Sequence, residues 1–177
     1  MFKKTETSFN TSHKMQTISA EVISLDSKVT SASLFSHFSH QPWAMWLDSC
    51  NSEHIDSRFD ILVWQPIATL TTQGISTQIN YIQQHEQQTS TEDPLLLIKT
   101  LQKHLFNQVT SLNTKLPFLG GALGYFAYDL GRRFERLPNR AEPDINLPEM
   151  AVGFYNQAII FDNVSKLFYL VCPDVDR

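Results

Sequence analysis

Phe59-Asp-Ile-Leu-Val-Trp64, Ile67-Ala-Thr-Leu-Thr-Thr72 and Ile75 to Ile82 form the stretch on which the fold turns. Its β-branched and aromatic residues favour extended backbone, and Gly74 between the second and third runs is a hairpin signal. Pro66 has no N–H to give to a ladder, so it predicts an edge position or a bulge. Downstream, Met150 to Phe161 and Lys166 to Val171 read as strands joined at Asp162-Asn163, a second antiparallel hairpin. Upstream, Ile18 to Ser24 predicts a strand, and Trp43 to Ser49 a buried one.

Helical periodicity is confined to short segments. Leu34, Phe35 and Phe38 share one face of a segment over 33–39 that Pro42 ends. Asp93 is a natural N-cap and Pro94 a natural first helical residue. Leu95, Ile98, Leu101, Leu105 and Val109 then lie along one face of a helix of roughly four turns, whose task is packing. Gln83 to Gln88 is polar and biased and reads as a loop, and prolines 138, 143 and 148 mark an irregular connection. Hairpins beside a few helices indicate an α+β fold with antiparallel β-sheets, sandwich-like, with flanking helices. Residues 1–16 read as a flexible N-terminal arm and 17–177 as one domain. Because the chain stops directly after a strand with no closing element, it reads as a portion of a longer protein.

Composition narrows the function. The chain has 177 residues, 42% of them hydrophobic, which is enough for a sizeable core. Fourteen basic against eighteen acidic residues give a formal charge of −4. Arg132, Arg133 and Arg136 are diluted by Asp129 and Glu135, so no basic stripe for nucleic acid is expected. Cys50 and Cys172 lack a CxxC partner and read as buried small hydrophobes in a reducing compartment. No apolar run approaches the roughly 18 residues of a membrane span, and the polar N-terminus lacks the apolar core of a signal peptide. The expectation is a soluble, cytoplasmic protein without a membrane partner.

Motifs for chemistry are sparse. Gly120, Gly121, Gly124 and Gly131 fit neither Gly-Lys-Ser/Thr nor GxGxxG, so they read as sites of close packing or unusual φ. No metal is expected in this chain, since only His37 and His40 share a helical face and no third ligand completes a zinc site. No Gly-x-Ser-x-Gly elbow is present, and no catalytic residue is assigned. Asp129, Arg132 and Arg133 suit either a substrate carboxylate or a short capped helix. Ser49 ends one strand and Ser57-Arg58-Phe59 opens the next. If those ends adjoin, a hydroxyl, a guanidinium and an aromatic face meet, with Trp43, Leu47 and Phe59 as apolar walls. That set suits a zwitterionic amino acid, although such residues also simply finish strands.

Three stretches carry a family resemblance: Pro117-Phe-Leu-Gly-Gly-Ala-Leu-Gly-Tyr-Phe-Ala-Tyr-Asp-Leu-Gly-Arg-Arg-Phe-Glu-Arg-Leu-Pro138, Ser39 to Met45 with Ser57-Arg-Phe-Asp60, and Leu147 to Gly153. They resemble the N-terminal region of the chorismate-utilising synthases, specifically the aminodeoxychorismate synthase component I family of para-aminobenzoate and folate biosynthesis. The sister anthranilate synthase component I family shares the Gly-Gly…Gly-Tyr…Tyr-Asp skeleton but lacks Gly131-Arg-Arg133. The resemblance implies that the whole protein aminates chorismate to 4-amino-4-deoxychorismate, using Mg²⁺ and chorismate bound in its own C-terminal chorismate-binding domain. A glutamine amidotransferase subunit (component II) would supply ammonia. The N-terminal portion would be non-catalytic and carry part of an L-tryptophan pocket. The family's Leu-Leu-Glu-Ser motif corresponds to Trp46-Leu47-Asp48-Ser49 and its Arg-aromatic element to Arg58-Phe59, preceded by Asp56 and Ser57. The implied ligand-binding residues are therefore Ser49, Asp56, Ser57, Arg58 and Phe59. The resemblance also implies that a segment of the C-terminal part closes this pocket, so the chain alone would be inactive and hold half a site. The N-terminal domain of an anthranilate synthase component I, of tryptophan biosynthesis, is the alternative among enzymes, and a stand-alone amino-acid-binding module the alternative outside them.

Overall fold

The computed structural model describes residues 18–50, 54, 56–106, 115–136 and 145–173. The arm expected over 1–16, Val109, Pro138 and Pro143 lie outside them. Among the described residues, ten strands make two five-stranded antiparallel sheets, so the fold is α+β, with strands predominating. The first sheet runs β1(Ile18–Ile23), β10(Leu167–Pro173), β9(Ala158–Asp162), β3(Phe59–Val63), β2(Met45–Leu47). The second runs β6(Glu86–Ser90), β5(Ser76–Tyr81), β4(Ala68–Gln73), β8(Met150–Tyr155), β7(Gly121–Phe126). The helices are α1(Ser31–Ser36), α2(Pro94–Leu105) and a 3-10 turn over Tyr128–Arg133.

The chain changes sheets twice, once between β3 and β4 and again between β8 and β9. Pro66 sits in the first crossing, where a missing N–H breaks no ladder. Neither an edge strand nor a bulge is needed to explain it. The two crossings lie side by side: Ile67 N–H donates to Phe154 C=O at 2.8 Å and the Gln157 amide to Trp64 C=O at 3.3 Å. The run read as one strand from Met150 to Phe161 is thereby split at Asn156-Gln157.

Each sheet carries a helix on its apolar face. Leu97 and Leu101 of α2 pack on Leu70, Ile79, Val152 and Phe154. Leu34, Phe35 and Phe38, from α1 and the turn after it, pack on Leu62, Ile159 and Phe168, with Phe38 stacked on Trp64 at 4.6 Å. A third cluster joins Ile18, Val63, Ile160 and Val171 of the first sheet to Tyr155 of the second. The Tyr155 hydroxyl donates to Trp43 C=O at 2.9 Å.

Local differences from the sequence expectations have local causes. Trp43 takes φ 58°, which no strand admits, so β2 begins only at Met45. Thr30 caps α1 through a capping box with Ser33 and starts the helix two residues earlier than periodicity predicts. Its C-terminus at Ser36 leaves His37 and His40 beyond the helix. Glu86–Ser90, part of which was expected to be loop, pairs with β5 as an edge strand. Cys50 is exposed and Cys172 half-buried, against the expectation that both are core residues. Cys50 sits in a turn with φ 59°, beyond the end of β2. Among the described residues no helix is long and apolar enough to cross a membrane.

The glycine block is structural. Gly120 and Gly121 take φ of 101° and 139°, and at Gly124 a Cβ would run into the carbonyl of Ala151. Beyond β7, Arg133 donates to the carbonyls of Gly74, Thr91 and Glu92, and Arg132 pairs with Asp129 at 2.9 Å. Arg133 thereby ties the β4–β5 turn and the approach to α2 to the 3-10 turn.

Candidate functional site

At one end of the first sheet, β2 and β3 adjoin, and β9 turns into β10 beside them. Polar residues concentrate there. Asp60 lies within an otherwise apolar strand and is 4% exposed. Its Oδ1 accepts from Ser49 N–H at 3.0 Å, Ser49 Oγ at 2.7 Å and Asn163 Nδ2 at 3.1 Å, and its Oδ2 accepts from Ser31 Oγ at 2.5 Å. Burial pushes its carboxyl up. The hydrogen bonds from Ser31, Ser49 and Asn163 outweigh that and leave it below the ordinary value.

Asp162 is 1% exposed and takes the Arg58 guanidinium bidentately, Nε to Oδ1 at 3.0 Å and Nη2 to Oδ2 at 2.7 Å. Val164 and Ser165 N–H also donate to it. The Arg58 hydrogen bond holds this carboxyl far below the usual carboxylate range, against the opposing effect of burial. The same hydrogen bond raises the Arg58 pKa. The guanidinium carbon lies 4.7 Å from the centroid of the half-buried Phe59 ring, within cation–π reach.

The structure thus brings Ser49, Arg58 and Phe59 to one corner. Asn163 links them, since its side-chain amide donates to Ser49 Oγ at 3.1 Å and its N–H to Arg58 C=O at 2.7 Å. Ser57 lies in the preceding turn, its N–H on His54 C=O. Asp56 is set apart: its side chain is 86% exposed and faces His54 Nδ1 at 3.5 Å. Of the implied walls, Leu47 and Phe59 flank the corner on β2 and β3, while Trp43 is engaged at the other end of β2 through its carbonyl.

Sequence reasoning missed Asp60, Asp162, Asn163 and Ser31. The available signal was Asp60 itself, an acid between Phe59 and Ile61 in a run that must be buried. Asp162 and Asn163 were hidden by their second role as turn formers. Chemically, both carboxylates are saturated with donors and held ionised. Neither is poised as an acid or base near neutrality, and neither has oxygens free for a cation. Among the described residues no group of three or more His, Cys, Asp or Glu is placed to hold a metal. Arg58 has three further N–H groups beyond the two that meet Asp162, and its side chain is 44% exposed.

Comparison with known proteins agrees with the resemblance. No family model matches the chain. It is 48% identical over 150 residues to aminodeoxychorismate synthase component 1 of Escherichia coli (strain K12), covering 84% of this chain and 32% of that protein. It is 52% identical over 130 residues to the protein of the same name from Klebsiella aerogenes, covering 73% and 28%. Anthranilate synthase component 1 of Acetivibrio thermocellus is 28% identical over 143 residues, covering 80% and 28%. The crystal structure of anthranilate synthase component I from Streptococcus pneumoniae TIGR4 superposes with a TM-score of 0.53 at 24% identity, over 68% of this chain and 25% of that one, a likeness of fold. The chain spans about a third of the length of the curated relatives it matches, 32% and 28% for the first two.

Proposed function

From the premise that this chain is homologous to aminodeoxychorismate synthase component 1, we propose that it is the N-terminal, non-catalytic portion of such an enzyme. The whole protein would replace a chorismate hydroxyl by an amino group, giving 4-amino-4-deoxychorismate, with ammonia from a glutamine amidotransferase subunit. The observation that carries this reading is the margin of identity, 48% and 52% to aminodeoxychorismate synthases against 28% to the anthranilate synthase from Acetivibrio thermocellus. Chorismate and Mg²⁺ would bind in the remaining portion. The carboxylates described here do not suit the metal, because their oxygens already accept from side chains and backbone. The reaction would take place in the cytoplasm, and this chain alone would be inactive.

At the corner of the first sheet, the chain would contribute one wall of a pocket for an amino acid of tryptophan type. Support comes from the half-exposed Arg58 side chain, suited to a carboxylate, from Phe59 against it, and from Leu47, exposed at the end of β2. The test is product identity: the complete natural polypeptide is supplied with chorismate, Mg²⁺ and ammonium. Accumulation of 4-amino-4-deoxychorismate is expected, and anthranilate as sole product would overturn the assignment. Titration of the 177-residue chain with L-tryptophan should show binding far weaker than in the complete polypeptide.

A further inference from the structure

The Asp162-Asn163 turn reads in sequence as a hairpin connection, yet its side chains bond directly to both Ser49 and Arg58. Asp162 occupies the Nε edge of Arg58. Asn163 spans the two strand ends: its N–H holds the Arg58 carbonyl, and its amide holds Ser49 Oγ and Asp60 Oδ1 together. Without Asn163, no described hydrogen bond joins the Ser49–Asp60–Ser31 set to the Arg58–Asp162 set. The sequence separation is 114 residues from Asn163 to Ser49 and 104 from Asp162 to Arg58. Asp60, two residues after Arg58, already holds Ser49 to the same strand, and Asn163 adds the bridge from Ser49 Oγ to the Arg58 carbonyl.

We propose that Asp162 and Asn163 are positioning residues that fix Ser49 and Arg58 in one geometry, so that Arg58 meets a ligand carboxylate only with its outer Nη1/Nη2 edge. The physical reason is the planar guanidinium fork. It has two bidentate edges, and a buried carboxylate on the Nε edge leaves the other as the one pair of parallel donors. The Phe59 ring lies within cation–π reach of the same guanidinium, 4.7 Å from its carbon. Asn163 then sets the distance between that edge and the Ser49 hydroxyl. The proposal refines the amino-acid-pocket reading above and names the carboxylate as the ligand group that Arg58 takes.

The test uses the complete natural polypeptide with L-tryptophan as probe, together with the arginine Nε–H resonances in nitrogen–proton correlation spectra. In the wild type the Arg58 Nε–H should exchange slowly, because Asp162 covers it. Asn163→Ala should weaken L-tryptophan binding about tenfold, the scale of one well-placed hydrogen bond, and should abolish the coupling between Ser49→Ala and Arg58→Lys in a double-mutant cycle. Asp162→Asn should speed Nε–H exchange and weaken binding by a similar factor. Unchanged affinity and unchanged coupling in Asn163→Ala would overturn the proposal. So would a freely exchanging Arg58 Nε–H in the wild type, a result that needs no variant to fold. If the wild type takes no L-tryptophan, the pocket reading fails, and with it the carboxylate assignment. The positioning claim is then decided by whether Asn163→Ala shifts the Arg58 Nε–H and the Ser49 amide resonance together.

Discussion

Asp60 and Asp162 lie on adjacent strands and are both charged inside the fold, but they are held by different means. Asp162 has a cation on it, whereas Asp60 relies on four neutral donors from three other parts of the chain. Both carboxyls titrate below their ordinary value. A group whose folded pKa is depressed contributes stability above its unfolded pKa, about 3.9 for aspartate, and loses it as pH falls through the folded value. The urea midpoint should therefore be flat above about pH 5 and fall steeply below about pH 4. Asp162→Asn should start lower and fall less, and an equal slope in both proteins would contradict the assignment. Gly124 is decided by space instead of charge. Paired with Val152 in the β7–β8 ladder, it leaves no room for a methyl group against the Ala151 carbonyl. Gly124→Ala should cost about 1–3 kcal/mol by denaturant unfolding, as overpacking does.

Among the elements, α2 was the most legible. Asp93 accepts from Leu95 N–H at 2.8 Å, Pro94 opens the first turn, and Leu97 and Leu101 are buried against the second sheet. The buried face runs through Leu97 and Leu101, with Leu95 left exposed, so the apolar stripe was read a few tens of degrees off its true centre. Leu101→Ala should destabilise by about 2–5 kcal/mol in thermal or urea unfolding, and Asp93→Ala by about 1 kcal/mol. An equal cost for the two would show that α2 is held by its cap instead of its packing. The strand β6 was illegible for a physical reason. Glu86-Gln-Gln-Thr-Ser90 buries almost no apolar surface, and its conformation comes from the ladder to β5. An edge strand needs only one partner, and periodicity carries no record of it. Its polar composition also blunts the edge.

At the scale of the molecule, the two sheet crossings and Tyr155 make one body of two sheets. The Tyr155 ring is buried across Gly153, and its hydroxyl reaches Trp43, 112 residues away. Tyr155→Phe keeps the packing and deletes that hydrogen bond, so it should cost about 0.5–1.5 kcal/mol in equilibrium unfolding. A larger loss would mean that the orphaned Trp43 carbonyl is buried without a substitute. At the outer edge of the second sheet, β7 leads into exposed Tyr125, Phe126 and Tyr128, with exposed Leu147 alongside, since Tyr125 Oη donates to Pro148 C=O at 3.1 Å.

The sequence by itself determined the class of fold, most of the strands, both helices and the resemblance to chorismate-utilising synthases. Those rest on alternation, capping and short motifs, which are properties of neighbours in the chain. It also brought Ser49 and Arg58 forward as a pair. Only the tertiary structure decided where the chain leaves one sheet for the other, because a crossing needs nothing from the local sequence beyond a break in the ladder. Only the tertiary structure, likewise, showed that two buried carboxylates and an asparagine from the far end of the chain hold that pair. Burial is what makes those groups demand partners, and burial is set by elements more than a hundred residues away.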